Sequence, residues 1–375
     1  MRIGIDARFY GPEGTGIGRY LENLLKHLEE IDRENEYFVF LKNSNFHLYN
    51  PKNKNFQKFK ADAHWYSLKE QVIMPAALNS KKLDLVHFPH FNIPLLYTGK
   101  FLVTIHDLTK TLFGGRATSK KIAPVLFTKQ TIYNFTISQA LRRAKKIIVP
   151  SNFIKKEIEK LFGIAESKIE VIYESADDFK VSSVEVSEGR RKEILGKHAI
   201  GKNFILFVGN SYPYKNLEKL IEALEEINQE VQLVCVSKRD FWMEKLIEKA
   251  KDLGIEERVV VTGFVPDGEL IALLKYARLL AFPSLSEGFG LPGLEAMGVG
   301  CPVVAAKSSS LPEVYGEAAL YFDPNSAKDI AKKINWVLND KKLASDLKVK
   351  GFRQVKKYSW KKTAEETLKI YRSFE

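Results

Sequence analysis

The sequence predicts an α/β protein built from two successive doubly wound domains, each a parallel sheet covered by helices. Its 375 residues exceed one ordinary domain. Short apolar runs alternate with amphipathic stretches almost from end to end, and a polar segment after residue 174 interrupts the alternation. We therefore expect a first domain over 1–175, a second over 176–358 and a last helix over 359–375. Ligands of such sheets bind beyond the carboxyl ends of the strands, so the two domains would face a central cleft.

Mostly apolar runs of strand length mark the first sheet, and segments with the apolar spacing of amphipathic helices lie between them. The predicted strands are RIGID, EYFVFL, LVHF, FLVTIHD, KIIVPS and IEVIY. The helix after the first strand carries apolar residues at helical spacing, namely Tyr20, Leu24, Leu25 and Leu28. These patterns indicate a parallel sheet with helical crossovers.

The second domain repeats the scheme with the strands FILFVG, QLVCVS, VVVTGF, RLLAFPS and PVVAA. The tail SWKKTAEETLKIYRSF is an amphipathic helix by its pattern. One face of that helix carries Trp360, Ala364, Leu368 and Tyr371. Cys235 and Cys301 both lie in apolar runs, so we expect them to be reduced core residues.

The net charge of +12 is unevenly distributed. Residues 1–174 hold 27 Lys and Arg against 17 Asp and Glu, a net of +10, and residues 175–375 hold 31 against 29, a net of +2. The stretch from Leu108 to Lys156 has no acidic residue and alternates cationic with apolar groups. Such a surface suits an anionic membrane; a solvated helix face or a nucleic-acid site are the alternatives. The polar N-terminus and the lack of a long apolar window predict a cytoplasmic protein, peripheral at the membrane face.

Three strand-to-helix loops are candidates for chemistry. The first, FYGPEGTGIGRY, resembles a dinucleotide fingerprint, but the last glycine of G-x-G-x-x-G is replaced by Arg19, which argues against a hydride-transfer enzyme. It predicts instead a flexible glycine loop that a ligand can approach closely. In the second, FVGNSYPYKNLEKL, Lys215 lies at a helix entrance and would attract a phosphate.

The third loop, FPSLSEGFGLPGLEAMGVG, is the most specific. Glu287 precedes a helix that Pro292 helps to begin, and Glu295 lies inside that helix. Backbone amides at the helix start would hold a diphosphate, and both carboxylates would accept hydrogen bonds from a polyhydroxylated ligand. A hydrolase with paired carboxylates is the rival interpretation. A carboxylate beside a helix N-terminus tends to stay ionised, which is unfavourable for a general acid.

The segment EGFGLPGLE, followed by GVGCPVVAAKSSSLPEV, resembles the donor-site signature of glycosyltransferase family 4, whose members are retaining enzymes of the GT-B fold. Other segments agree in order and spacing over nearly the whole chain. They are GTGIGRY, TIHD, VPSNFIKKEIEKLFGI, IEVIYESAD, FVGNSYPYKN and VTGFVPDGELIALLKYARLLAFPSLSEGFG. The resemblance also implies that the last helix crosses back to brace the first domain.

The resemblance assigns roles to individual residues. It implies that Glu287 binds hydroxyls of the donor sugar, that Glu295 holds the ribose and that Lys215 neutralises the leaving diphosphate. His106 would lie against the transferred sugar. The remaining donor-binding positions it implies are Gly16, Asn210, Phe264, Phe289, Gly290 and Leu291.

Two positions depart from the commonest family pattern. Asn210 stands where many members have an arginine, so phosphate neutralisation would depend more heavily on Lys215. Glu174 and Ser175 replace the usual Asn-Gly type pair. The alternative for His106 is a core histidine capped by Asp107, and we expect His87 and His90 to be loop residues.

These observations predict a metal-independent retaining hexosyltransferase with catalytic residues His106, Lys215 and Glu287. The chain contains no Asp-x-Asp, so we expect neither a metal nor another cofactor. The expected donor is GDP-mannose, with a glucose-type UDP-sugar as the alternative, and the acceptor is lipid-linked or an oligosaccharide of a cell-surface glycan or glycolipid. A nucleotide-sugar epimerase of the same fold is a second alternative. A basic nucleic-acid-binding protein is a remote one, because it leaves the Glu287 loop unexplained; we expect no nucleic acid as a partner.

Overall fold

The computed structural model describes residues 1–114, 123–177, 187–228 and 230–375. The chain divides into two compact units. Unit 1 comprises Met1–Thr111, Lys121–Glu174 and Ser359–Glu375, and unit 2 comprises Leu112–Lys120 and Ser175–Tyr358. The segment Leu112–Lys120, expected in the first domain, is thus grouped with unit 2, and only its residues 112–114 are among those described.

Strands and helices alternate through residues 1–174. The strands are β1 (Arg2–Asp6), β2 (Glu36–Leu41), β3 (Phe56–Lys60), β4 (Leu85–Phe88), β5 (Phe101–Thr104), β6 (Ile147–Val149) and β7 (Ile169–Val171). The helices are α1 (Thr15–Ile31), α2 (Glu70–Asn79), α3 (Thr109–Phe113), α4 (Ala123–Arg143) and α5 (Asn152–Phe162).

The same alternation continues through the rest of the chain. The strands are β8 (Phe204–Val208), β9 (Gln232–Val236), β10 (Val259–Val261), β11 (Leu280–Phe282), β12 (Val303–Ala306) and β13 (Ala319–Phe322). The helices are α6 (Glu188–Lys197), α7 (Leu217–Leu224), α8 (Phe241–Asp252), α9 (Asp267–Tyr276), α10 (Leu291–Gly298), α11 (Leu311–Tyr315), α12 (Ala327–Asn339), α13 (Lys341–Val355) and α14 (Trp360–Arg372).

Each unit contains a parallel sheet. Among the described residues the strand order is β3-β2-β1-β4-β5-β6-β7 in unit 1 and β10-β9-β8-β11-β12-β13 in unit 2. Sequence reasoning missed β3 and β13, which are edge strands of the two sheets. The β3 sequence FQKFK is mostly polar and only partly buried, so it lacks the apolar run that marks a strand covered on both faces.

Helix α14 packs in unit 1 although it follows unit 2 in the chain. Its inner face buries Trp360, Ala364, Leu368 and Tyr371 in the same core cluster as the apolar face of α1. The Ser359 hydroxyl begins the helix by accepting a hydrogen bond from the Lys362 amide. The hydroxyl of Thr363 donates to the carbonyl oxygen of Tyr173 at 2.7 Å, so α14 also holds the backbone that follows β7.

The two cysteines are free and buried, as expected. Cys235 lies on β9, and Cys301 lies just before β12. Burial raises the pKa of both thiols to about 12, so neither thiol is ionised near neutral pH. Both residues are therefore part of the apolar core of unit 2.

Candidate active site

In unit 2, the loop between β11 and α10 turns sharply before the helix begins. Gly290 has φ +93°, a conformation that side chains disfavour, and a Cβ there would lie 2.6 Å from the Tyr315 Oη. Pro292 occupies the first turn of α10, as predicted from its fixed φ. The turn brings the backbone at Gly290 to the N-terminal end of the helix, where amide groups favour anions.

The two loops after β8 and β11 are joined by an ion pair. The Lys215 Nζ lies 2.6 Å from the Glu287 Oε1, and the two side chains are only 11% and 13% exposed. The Lys215 backbone is fixed by its amide, which donates to the carbonyl oxygen of Tyr212. The structure therefore brings together two predicted catalytic residues that are far apart in the sequence.

A serine-rich loop after β12 fixes the Glu287 backbone. The Glu287 amide donates to the Ser309 Oγ at 3.0 Å, and the Ser310 hydroxyl donates to the Glu287 carbonyl oxygen at 2.9 Å. The Tyr315 hydroxyl donates to the Gly290 carbonyl oxygen at 2.5 Å. Burial raises the pKa of Tyr315 well above its usual value, which keeps this hydroxyl a donor. Sequence reasoning missed these supports, although the SSS run lies in the segment that carries the resemblance.

The other predicted donor-binding side chains of unit 2 differ in exposure. Glu295 and Phe289 are buried, and the Phe289 ring packs edge-on against Tyr358 with centroids 5.4 Å apart. A ligand could therefore meet Phe289 through its backbone rather than its ring. Phe264 follows β10 and is 89% exposed, which leaves its ring open to a planar partner.

Two further predicted positions lie at loop or helix starts. The Asn210 amide group donates to the Tyr214 Oη at 3.3 Å, and the Asn210 Oδ1 accepts from the Tyr212 amide at 3.2 Å. This side chain therefore stabilises the loop after β8. Leu291 is the first residue of α10 and is partly buried.

In unit 1, His106 follows β5 and is held by the ends of two other strands. Its Nδ1 lies 2.7 Å from the Glu174 Oε1, beyond β7, and its Nε2 lies 3.0 Å from the Pro89 carbonyl oxygen, beyond β4. The Tyr20 ring packs edge-on against the imidazole, with centroids 4.7 Å apart. The alternative interpretation named Asp107 as the capping group, but the carboxylate that contacts the ring is Glu174.

The prediction that His87 and His90 are both loop residues was wrong for His87. His87 lies on β4, fully buried, between the Tyr371 hydroxyl at 2.6 Å and the Thr104 hydroxyl at 2.7 Å. Burial lowers its pKa to about 3, so the ring is neutral. It connects α14 to the sheet and takes no part in a metal cluster within the described ranges.

The glycine segment after β1 is more helical than predicted. Helix α1 already begins at Thr15, so Gly16 and Gly18 lie in its first turns rather than in a flexible loop. A Cβ at Gly18 would lie 2.1 Å from the Gly11 carbonyl oxygen, whereas a Cβ at Gly16 would meet nothing within 4 Å. Gly18 is therefore required for packing, and Gly16 leaves open space at the start of the helix.

A cavity of about 120 Å³ lies beside His106 in unit 1. Its polar groups are the Asp107 carboxylate, the Lys110 ammonium and the imidazoles. Burial lowers the pKa of His90 well below its usual value, and the His90 Nδ1 accepts from the Asn92 amide at 3.2 Å, which leaves the proton on Nε2. The lining residues are Ile17, His90, Phe91, Ile105, His106, Asp107, Lys110 and Tyr133.

Two families of known proteins match the two halves of this chain. Residues 190–354 match the family "Glycosyl transferases group 1", and residues 14–178 match "Glycosyltransferase Family 4". The chain belongs to these glycosyltransferases. O-antigen chain mannosyltransferase B of Escherichia coli is 28% identical over 96% of both chains. The Salmonella typhimurium O-antigen chain mannosyltransferase RfbU is 27% identical over 70% of this chain and 67% of that protein.

Among solved structures, Anabaena HepE in complex with UDP and glucose covers all of this glycosyltransferase and all of its own chain, with a TM-score of 0.76 at 18% identity. The predicted α/β class with two Rossmann-like domains of the GT-B type is thereby confirmed. In the described part of the glycosyltransferase, no helix is long and apolar enough to cross a membrane.

Proposed function

We propose that this glycosyltransferase is a retaining mannosyltransferase that uses GDP-mannose and a lipid-linked or saccharide acceptor in the synthesis of a cell-surface glycan. Two relatives with mannosyltransferase in their names support mannose, and their O-antigen chains support a saccharide acceptor. A UDP-sugar donor is the second candidate, because the structurally similar HepE binds UDP and glucose.

The observation that carries this proposal is the contact between Lys215 and Glu287. A nucleotide sugar offers an anionic diphosphate beside neutral hydroxyls, and this site offers an ammonium beside a carboxylate at 2.6 Å. The ammonium would bind the diphosphate and the carboxylate would accept from the hydroxyls. A hydrolase of that kind works with two carboxyl groups, whereas the group in contact with Glu287 is the Lys215 ammonium, so the contact does not favour a hydrolase with paired carboxylates.

We propose that transfer proceeds without a metal. As the bond from the anomeric carbon to the diphosphate breaks, Lys215 and the amides around Gly290 would stabilise the charge on the leaving group. The acceptor hydroxyl would attack the oxocarbenium-like carbon from the same face, and its proton would pass to the leaving phosphate oxygen. The configuration is then retained without a covalent enzyme intermediate.

Transfer assays with purified protein test this proposal. GDP-mannose, UDP-glucose and other nucleotide sugars are offered with a saccharide acceptor, with and without a chelator, and NMR reads the configuration of the product. We expect an α-mannoside from GDP-mannose at an unchanged rate in chelator. Isomerised nucleotide sugar in the absence of acceptor would favour an epimerase, and transfer from UDP-sugars alone would overturn the assignment of the donor.

The cavity beside His106 fits the ring of an acceptor sugar. Phe91 and Tyr133 offer aromatic faces, and Asp107 and Lys110 offer an acceptor and a donor for hydroxyl groups. Lys110→Ala should raise the acceptor KM while donor hydrolysis without acceptor stays at the wild-type rate. An unchanged acceptor KM would remove the cavity from the acceptor site.

The outer face of α4 fits an anionic membrane, which would make the enzyme peripheral at the cytoplasmic face. Phe127, Ile132 and Phe135 are 76%, 60% and 55% exposed within the basic stretch predicted to bind lipid. Arg116, Lys120 and Lys121 of that stretch lie outside the described residues. Apolar side chains that enter the interface and basic groups that meet anionic headgroups both favour binding.

Sedimentation with vesicles tests this surface. The wild-type protein should bind vesicles that contain phosphatidylglycerol, bind less at high salt, and not bind neutral vesicles. The Phe127→Ser/Phe135→Ser variant should lose binding, whereas Trp336→Ser, which removes an exposed aromatic ring of unit 2, should retain it. Equal binding by both variants would contradict the assignment of α4.

A further inference from the structure

The contact between Glu174 and His106 explains a residue that departs from the family pattern. Glu174 is the residue of unit 1 that immediately precedes the long segment of unit 2, and its side chain is 10% exposed. Its Oε1 lies 2.7 Å from the His106 Nδ1, while the Nε2 lies 3.0 Å from the Pro89 carbonyl oxygen. We infer that Glu174 is a positioning residue that holds His106 as a doubly protonated imidazolium.

The inference follows from the chemistry of the two partners. An ionised carboxylate and a backbone carbonyl only accept hydrogen bonds, so both imidazole nitrogens must carry protons to satisfy them. A neutral imidazole has one N–H and would leave one of these short contacts without a hydrogen. The carboxylate also compensates the positive charge in a site that is mostly shielded from water.

The other groups around His106 do not replace Glu174. From β4 and its loop come His87 and His90, each with a pKa lowered first by burial and then by the nearby His106. From α1 comes the Tyr20 ring, whose pKa is raised by burial, so its hydroxyl is neutral. Asp107 and Lys110 line the same cavity from the segment after β5, and the Asp107 carboxylate accepts a hydrogen bond from the Thr109 amide.

Glu174 is itself held in place by the fold. The Tyr173 carbonyl oxygen accepts the Thr363 hydroxyl of α14 at 2.7 Å, and the Ile172 amide donates to the Val149 carbonyl oxygen. The carboxylate therefore reaches His106 from a fixed backbone across the end of β6. An Asn-Gly pair at this position would supply no negative charge to the imidazole.

What this assignment means for catalysis rests on the proposed function. With both nitrogens donating to protein acceptors, His106 has no lone pair with which to act as a base or a nucleophile. When the acceptor oxygen bonds to the anomeric carbon and the bond to the diphosphate breaks, the acceptor proton must go elsewhere. The leaving phosphate oxygen, which gains negative charge in that step, is the group that takes it.

The test compares Glu174→Gln with a matched control. Gln has nearly the same shape as Glu but is neutral. Glu170→Gln removes a carboxylate from β7, the strand that precedes Glu174, where the partly exposed Glu170 contacts Lys146 at 2.6 Å. Long-range ¹H–¹⁵N NMR of labelled imidazoles, with the His106 signals identified by their loss in His106→Gln, reports how many ring nitrogens carry a proton near neutral pH.

We expect the His106 ring to carry protons on both nitrogens in the wild-type protein and in Glu170→Gln, and on one nitrogen in Glu174→Gln. We also expect Glu174→Gln to lower kcat by about tenfold to a hundredfold with an unchanged donor KM, because the ring loses one of its fixed contacts. The kcat of Glu170→Gln should equal that of the wild type.

A neutral His106 ring in the wild-type protein would overturn the inference, even if Glu174→Gln failed to fold. A wild-type kcat in a folded Glu174→Gln variant would overturn the positioning role. If the wild-type protein transferred no sugar at all, the proposed function would fail, but the NMR result would still decide the protonation of His106.

Discussion

In unit 2 the candidate site residues come mainly from one short segment and one lysine, whereas in unit 1 His106 is held by the ends of separate strands. Glu287, Gly290 and Glu295 fall within nine residues, and their spacing is visible in the sequence. His106 and Glu174 are 68 positions apart and meet only because β5, β6 and β7 end at the same edge of the sheet. A local motif can be read from spacing, but a contact between strand ends cannot.

The largest effect should follow from removing the cation of unit 2. Lys215→Ala should lower kcat by about 10² to 10³, because the leaving diphosphate loses its fixed positive charge. Lys219→Ala removes a lysine that contacts Glu222 at the same 2.6 Å on the surface of α7, and it should leave kcat unchanged. Steady-state kinetics with the preferred donor measure both, and equal losses in the two variants would contradict the site.

The buried His87 of unit 1 should make stability depend on pH. Its pKa is about 3 in the folded protein and near the ordinary 6.5 when unfolded, so the unfolded chain binds more protons between these values. The contribution of the neutral His87 to the free energy of unfolding is therefore fully present above about pH 6.5. The free energy of unfolding should fall by up to ~1.4 kcal/mol per pH unit as the pH decreases toward 3. Urea denaturation at several pH values measures this slope.

The slope for a His87→Asn variant should be smaller than that for the wild type. The matched control His47→Asn removes an exposed histidine of the same unit and should keep the wild-type slope. If His87→Asn also kept it, other groups would account for the acid destabilisation.

The glycines of the two units should respond differently to a methyl group. A Cβ at Gly293 of α10 would lie 2.2 Å from the Tyr315 Cζ, so Gly293→Ala should lower the free energy of unfolding by about 1–3 kcal/mol. A Cβ at Gly16 would meet open space in the first turns of α1, so Gly16→Ala should raise the free energy of unfolding by less than about 1 kcal/mol. Chemical denaturation measures both, and similar destabilisation by the two variants would contradict this distinction.

Gly16→Ala gives the smallest expected change in stability but still tests function. If a diphosphate approaches this helix start, as the resemblance implies, the added methyl group should raise the donor KM. Gly196→Ala, at a helical glycine of unit 2 that also has open space, is its control. An unchanged donor KM in Gly16→Ala would remove this glycine from the donor site.

Much of the fold could be predicted because its signals are local. Strands buried on both faces leave apolar runs, and the amphipathic face of α1 leaves a helical period. The edge strand β3 left a weaker signal because three of its five residues are polar, whereas β13 was missed although its sequence ALYF is apolar. The assignment of His87 to a loop was wrong although the predicted strand LVHF contains this residue, and its hydrogen bonds to Tyr371 and Thr104 come from parts of the chain that the local sequence does not reveal.

The sequence by itself determined the alternation of strands and helices, the glutamate pair of the third loop and the basic character of residues 1–174. These depend on the order and chemistry of neighbouring residues. Only the tertiary structure decided that Lys215 contacts Glu287 and that the Tyr315 hydroxyl donates to the Gly290 carbonyl oxygen. It also decided that the carboxylate in contact with His106 is that of Glu174 rather than that of Asp107. Such contacts depend on which strands become neighbours in a parallel sheet, and the spacing of residues along the chain does not specify that order.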